Sequence, residues 1–121
     1  MSDADTAESG RGAAVIPLRA ARQEKVSFDR RELQTILNLY GRKVAEGEWR
    51  DYGIDFLRDV AVFSIFRRSS EFPLYRIVKN PALARRQGVY SVVASGGQVL
   101  KRGQELARVI AVLDKPLKLV T

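Results

Sequence analysis

With 121 residues, no cysteine and no histidine, the chain has room for one compact domain but excludes a disulfide framework, thiol chemistry and the usual zinc, haem and iron-sulfur ligands. The same gaps remove the commonest general base and the serine-histidine and cysteine-histidine pairs of nucleophilic catalysis, and no apolar run approaches the roughly 20 residues that cross a bilayer. The net charge of +7 is laid unevenly: residues 25–59 balance seven basic against seven acidic side chains, whereas residues 60–121 hold eleven basic and three acidic ones. Such asymmetry suits an anionic partner or a solvated basic surface.

Residues 1–24 are small, polar and aperiodic, and their apolar patch is interrupted by Pro17. They read as a disordered tail, either inert or carrying a docking motif around Val15-Ile16-Pro17-Leu18. Residues 1–10 are acidic and carry no lysine or arginine, the reverse of a secretory signal. Residues 25–121 read as a single α+β domain.

Val26-Ser27-Phe28 leads into Asp29, a helix N-cap with Glu32 at the capping-box spacing. Leu33, Ile36, Leu37, Tyr40 and Val44 then predict one buried helical stripe, ended by Gly47. From Trp49 the period changes to two: Arg50, Tyr52, Ile54 and Phe56 on one side of a strand, Asp51, Gly53 and Asp55 on the other. Residues 61–68 and 73–79 follow as two more strands, with a turn at Ser69-Ser70-Glu71, so the three form an antiparallel meander. Asn80-Pro81 stops the third strand, and residues 82–88 form a loop or one helical turn carrying Arg85 and Arg86. Residues 89–94 and 98–101 flank Ser95-Gly96-Gly97, a hairpin signal. Leu106, Val109, Ile110 and Leu113 fit a second helix ending before Pro116, although residues 109–113 also suit a buried strand. Residues 117–120 add a last short strand. The expected architecture is an antiparallel sheet of four to six strands with two helices packed on one face.

The other face of the sheet is left open, with Asp51, Asp55, Ser64, Arg68, Arg76 and Val78 projecting from it. Acidic and basic side chains on neighbouring strands would pair there. In excess over those carboxylates, Arg67, Arg68, Arg76, Arg85 and Arg86 are the candidate residues for binding an acidic protein surface or another anion. Phe63, Phe66, Phe72, Tyr75 and Tyr90 are interleaved with them, as on sheets that stack unpaired bases, so nucleic acid is the alternative partner. Most of these rings are also needed for the core.

Within Glu48-Trp49-Arg50-Asp51-Tyr52, the only tryptophan reads as an anchor for the helix-to-strand corner, with Arg50 paired to a carboxylate. A carboxylate enzyme would need convergent acid and base groups from Glu48, Asp51, Asp55 and Tyr52, and alternation separates Tyr52 from the two aspartates. No catalytic residue, metal ligand or cofactor is assigned, and the chain reads as a non-enzymatic binding or regulatory module. Asp114-Lys115-Pro116 resembles the modified-lysine turn of lipoyl domains, but the order of surrounding elements is wrong. A homodimer through the open face or an edge strand is compatible with the pattern.

Longer blocks carry a family resemblance: Leu39-Tyr40-Gly41, Gly47-Glu48-Trp49-Arg50-Asp51-Tyr52, Phe63-Ser64-Ile65-Phe66-Arg67-Arg68, Pro73-Leu74-Tyr75-Arg76-Ile77 and Leu100-Lys101-Arg102-Gly103. With these, residues 26–120 resemble an alphaproteobacterial family, domain of unknown function 2794. The resemblance implies a bacterial, cytoplasmic setting and carries over no catalytic, cofactor or binding residue.

Overall fold

The first helix begins where two side chains satisfy each other's backbone. The Asp29 carboxylate accepts the Glu32 amide at 2.8 Å and the Glu32 carboxylate accepts the Asp29 amide at 2.7 Å, a complete capping box opening α1 (Arg30–Ala45). These details come from a computed structural model that describes residues 25–68 and 72–114. The expected tail over 1–24, the turn at 69–71, the stop at Pro116 and the strand over 117–120 lie outside the described residues.

Helix α1 ends in a Schellman motif. The Glu48 amide donates to the Lys43 carbonyl and the Gly47 amide to the Val44 carbonyl, both at 2.9 Å, while Gly47 takes φ +82°. Space is open around Gly47, so Gly47→Ala should lose only the left-handed preference, about 1 kcal/mol in chemical denaturation.

The buried stripe of α1 differs from the expected one. Ile36, Leu39 and Lys43 are buried and Leu33 and Tyr40 pack against the core, whereas Leu37 and Val44 are exposed. The cause is a second partner. Helix α2 (Leu106–Ile110), continued by a 3₁₀ turn over Ala111–Leu113, lies beside α1 as well as on the sheet, and draws the buried face round toward Leu39. Leu106, Val109, Ile110 and Leu113 are all buried, which settles the segment as helical.

Five strands form one antiparallel meander in the order β1 (Asp51–Phe56), β2 (Ala61–Phe66), β3 (Tyr75–Lys79), β4 (Tyr90–Ala94) and β5 (Val99–Gly103). Strands β2 and β3 are shorter than their sequence patterns, since β2 stops before Arg67-Arg68 and β3 starts after Pro73-Leu74, whereas β5 runs two residues past Lys101. The β4–β5 hairpin turns through Ser95-Gly96-Gly97, with the Gly97 amide bonded to the Ala94 carbonyl and Gly97 at φ +95°. A bulge then shifts the register between Val92 and Val93.

Register fixes the two faces. Tyr52, Ile54, Ala61, Phe63, Ile65, Ile77 and Val92 share the face covered by the helices. Tyr40 of α1 meets Phe63 and Tyr52 edge-on, with centroids 6.1 and 4.9 Å apart. Asp51, Asp55, Ser64, Arg76 and Val78 fall on the opposite face, as expected. Both helices lie on one side, so the architecture is α+β with an open sheet face.

Two long-range ties lock helix and loop to this frame. Glu32 accepts from Lys79 Nζ at 2.8 Å and from the Tyr90 hydroxyl through a short bond, and Lys79 also donates to the Ser27 carbonyl. At the same end of the sheet the β3–β4 connection, with a 3₁₀ turn at Pro81–Leu83, folds against β5. Gln104 donates to the Ala84 carbonyl, Arg102 to Gln87, and Gly88 sits directly on Gly103.

Candidate anion-binding site

A meander reverses direction at every strand, and this decides where the arginines go. Arg67 and Arg68 follow the end of β2, beside the start of β1, where the Arg50 amide donates to the Phe66 carbonyl at 2.9 Å. Arg85 and Arg86 lie one strand later, in the connection after β3. They therefore stand at the opposite end of the sheet, roughly 17 Å away by the rise of a six-residue strand. Arg76 lies between, on the open face. The five sequence candidates do not form one patch. Arg67 and Arg68 come together at one end, Arg85 and Arg86 gather with Arg102 at the other, and Arg76 is apart from both.

The end that holds Arg67 and Arg68 is concave. Val44, Gly47, Trp49, Arg50, Arg67 and Arg68 line an open cleft of about 540 Å³, and among the described residues its lining contains no carboxylate. Trp49 forms the floor: it is buried, with ring centroids 6.0 Å from Tyr40 and 6.4 Å from Tyr75. The Schellman motif positions the rim, because the turn at Gly47 carries the chain from the end of α1 into Trp49 and β1. Arg50 and Arg67 are exposed and make no ion pair among the described residues, while Arg68 is also engaged within the protein.

Arg50 is the residue that sequence reasoning assigned otherwise, as the partner of a carboxylate. The signal that finds it is parity: residues separated by two strands of a meander return to the same end, and residues separated by one do not. Three exposed guanidinium groups around an apolar floor can take a carboxylate or phosphate in paired hydrogen bonds, with the indole excluding water on one side.

The other candidates spread apart. Asp51 and Asp55 are exposed and four residues apart on β1, about 13 Å, and Asp51 accepts the amide of its neighbour Tyr52. The expected pairing of these carboxylates with arginines on the next strand is not seen: Asp51 and Asp55 oppose Phe66 and Val62, and Arg76 opposes Ser64 and Val93. Of the five aromatic residues set among the arginines, only Phe66 lies on the open face. Phe63 is in the core, alternation puts Tyr75 and Tyr90 on the helix side, and Phe72 is exposed in the connection before β3.

Two tyrosine hydroxyls titrate above their ordinary range. Tyr40 is raised by burial, then by the charge of Asp51 and by Tyr52. Tyr90 is raised further, by burial and by its bond to Glu32.

A second, smaller cleft of about 260 Å³ lies between the helices, lined by Thr35, Asn38, Arg42 and Asp114 among others. Its two charged groups are bound to each other, Arg42 to Asp114 at 2.7 Å. Both are well exposed, so this bridge adds little stability.

Among the described residues no group of histidine, cysteine or carboxylate side chains is arranged to hold a metal ion, and no helix is long and apolar enough to cross a membrane. No curated protein and no solved structure matches the chain. A family model does match it over residues 26–110, from the residue before the α1 cap region through β5 to the end of α2, and the chain belongs to that family, described as "Protein of unknown function (DUF2794)".

Proposed function

We propose that this domain is a non-enzymatic binding module that holds an anionic group, a carboxylate cluster on an acidic protein surface or a phosphate, in the cleft formed by Arg50, Arg67 and Arg68. The observation that carries the reading is the lining of that cleft: three arginines over a buried indole, two of them without an ion pair among the described residues. Arg50 and Arg67 have no ion pair among the described residues to give up when a bidentate anion arrives, and the planar guanidinium fork loses less freedom per hydrogen bond formed than a lysine ammonium. The lack of cysteine suits a reducing, cytoplasmic setting for such a module.

Because Trp49 is the only tryptophan and floors the cleft, its fluorescence reports on occupancy directly. Titration with a polyglutamate peptide and, separately, with inorganic phosphate should give a saturable change with at least one of them. Arg50→Glu together with Arg67→Glu should weaken that binding at least tenfold, and Arg85→Glu with Arg86→Glu should leave it unchanged. A flat fluorescence response to both probes, or equal loss from both pairs of substitutions, would remove the cleft as the binding site. If single-stranded nucleic acid were the ligand instead, binding would fall with salt, with a log-log slope of about 2 in magnitude for three phosphate contacts.

A further inference from the structure

The open face of the sheet has a charge order that its own copy would complement. One cross-strand row runs Asp55, Val62, Val78, Ser91, Arg102 from β1 to β5, read directly from the pairing of successive strands. Its acidic end lies on one edge strand and its basic end on the other, with apolar or small side chains between. Both charged ends are exposed, the two valines are partly exposed, Ser91 is buried, and no described helix packs on this side.

We propose that this face stacks on the same face of a second copy, the two being related by a two-fold axis along β3. That operation carries β1 over the partner's β5 without moving residues along the strand direction. Asp55 of each chain then meets Arg102 of the other, Val78 meets Val78 and Val62 lies over the position of the buried Ser91, an isologous contact between aligned sheets. A two-fold across the strands would instead place β1 on β1 and oppose four aspartates. Arg76 is the unfavourable element, since it lies on β3 near the axis and approaches its own copy. The face is also small, five short strands at about 4.8 Å spacing, below the area of standard stable interfaces. The pair is therefore weak and concentration-dependent. Both arginine clefts emerge at the same end of it, because the axis preserves the strand direction.

Sedimentation equilibrium of the full chain from about 10 µM to 1 mM tests the arrangement. Reversible dimerisation is expected. Asp55→Arg alone and Arg102→Asp alone should each weaken it at least fivefold, and the double variant should restore it, since the swapped charges meet again across the axis. Arg76→Ser should tighten the dimer by relieving the like-charge approach. If an acidic partner were the occupant of this face, Arg76→Ser would instead weaken its docking and leave the free chain monomeric. A monomer over the whole range, or a double variant no better than the singles, overturns the proposal.

Discussion

Gly88→Ala is expected to destabilise the domain by about 3–5 kcal/mol, enough to leave much of it unfolded under mild heating. Gly88 is buried with φ +111°, and an added Cβ would stand 2.6 Å from the carbonyl carbon and 2.7 Å from the Cα and oxygen of Gly103. Those atoms are backbone of β5, so no rotamer change relieves the clash, and Gly103 is itself closely packed, since a Cβ built on it would stand 3.2 Å from a Val109 methyl. The left-handed backbone adds its own penalty. Gly97→Ala is the matched control: its φ is also positive, but nothing lies within 4 Å, so its cost should be only about 1 kcal/mol. Urea denaturation of both variants checks the difference. If Gly88→Ala were as mild as Gly97→Ala, the loop would not rest on β5 as described.

Glu32→Ala is expected to cost about 2–4 kcal/mol, because one carboxylate serves three partners. It closes the capping box, accepts from Lys79 and accepts from Tyr90. Side-chain exposures of 11% for Glu32 and 18% for Lys79 mean that removal leaves a largely desolvated ammonium with only the Ser27 carbonyl. Glu32→Gln retains the shape and should lose less.

The same cluster sets an alkaline limit on stability. The Tyr90 hydroxyl ionises well above its ordinary value of 10 in the folded state, and the unfolded chain therefore releases that proton first. The stabilisation is complete below pH about 10 and is lost as the pH climbs from there toward the folded-state value. Tyr40 contributes in the same direction. Melting temperature should fall above pH 10, and Tyr90→Phe should flatten that fall while lowering stability at neutral pH. A variant with an unaltered alkaline slope would assign the limit to other groups.

Legibility from sequence followed the range of the interaction involved. Asp29 and Glu32 are three residues apart, and their box was readable because both partners lie in one turn. Gly47 and Gly97 were readable as positive-φ positions for the same local reason. The strand alternation from Tyr52 to Phe56 and the helical spacing from Leu106 to Leu113 gave the α+β architecture, since periodicity reports which side of an element is dry. The α1 stripe was readable only in part. Leu37 and Val44 satisfy the period, but the neighbouring α2 decided that Leu39 would be among the buried ones, and a repeat within one helix contains no information about a second helix docking beside it.

The residue types and their order were thus enough to determine a cysteine-free, histidine-free α+β domain, its caps, its hairpin and a cationic second half. Tertiary structure alone decided which cations share a site. Arg67 and Arg85 are close in sequence yet separated by the length of β3, whereas Arg50 and Arg67 are brought together by β1 and β2 running out and back. Glu32, Lys79 and Tyr90 meet by the same route, across 47 and 58 residues of chain. The physical reason is that each antiparallel strand reverses the chain's direction, so proximity depends on how many reversals intervene and on the exact register of each, and register is a property of paired backbones rather than of any one segment.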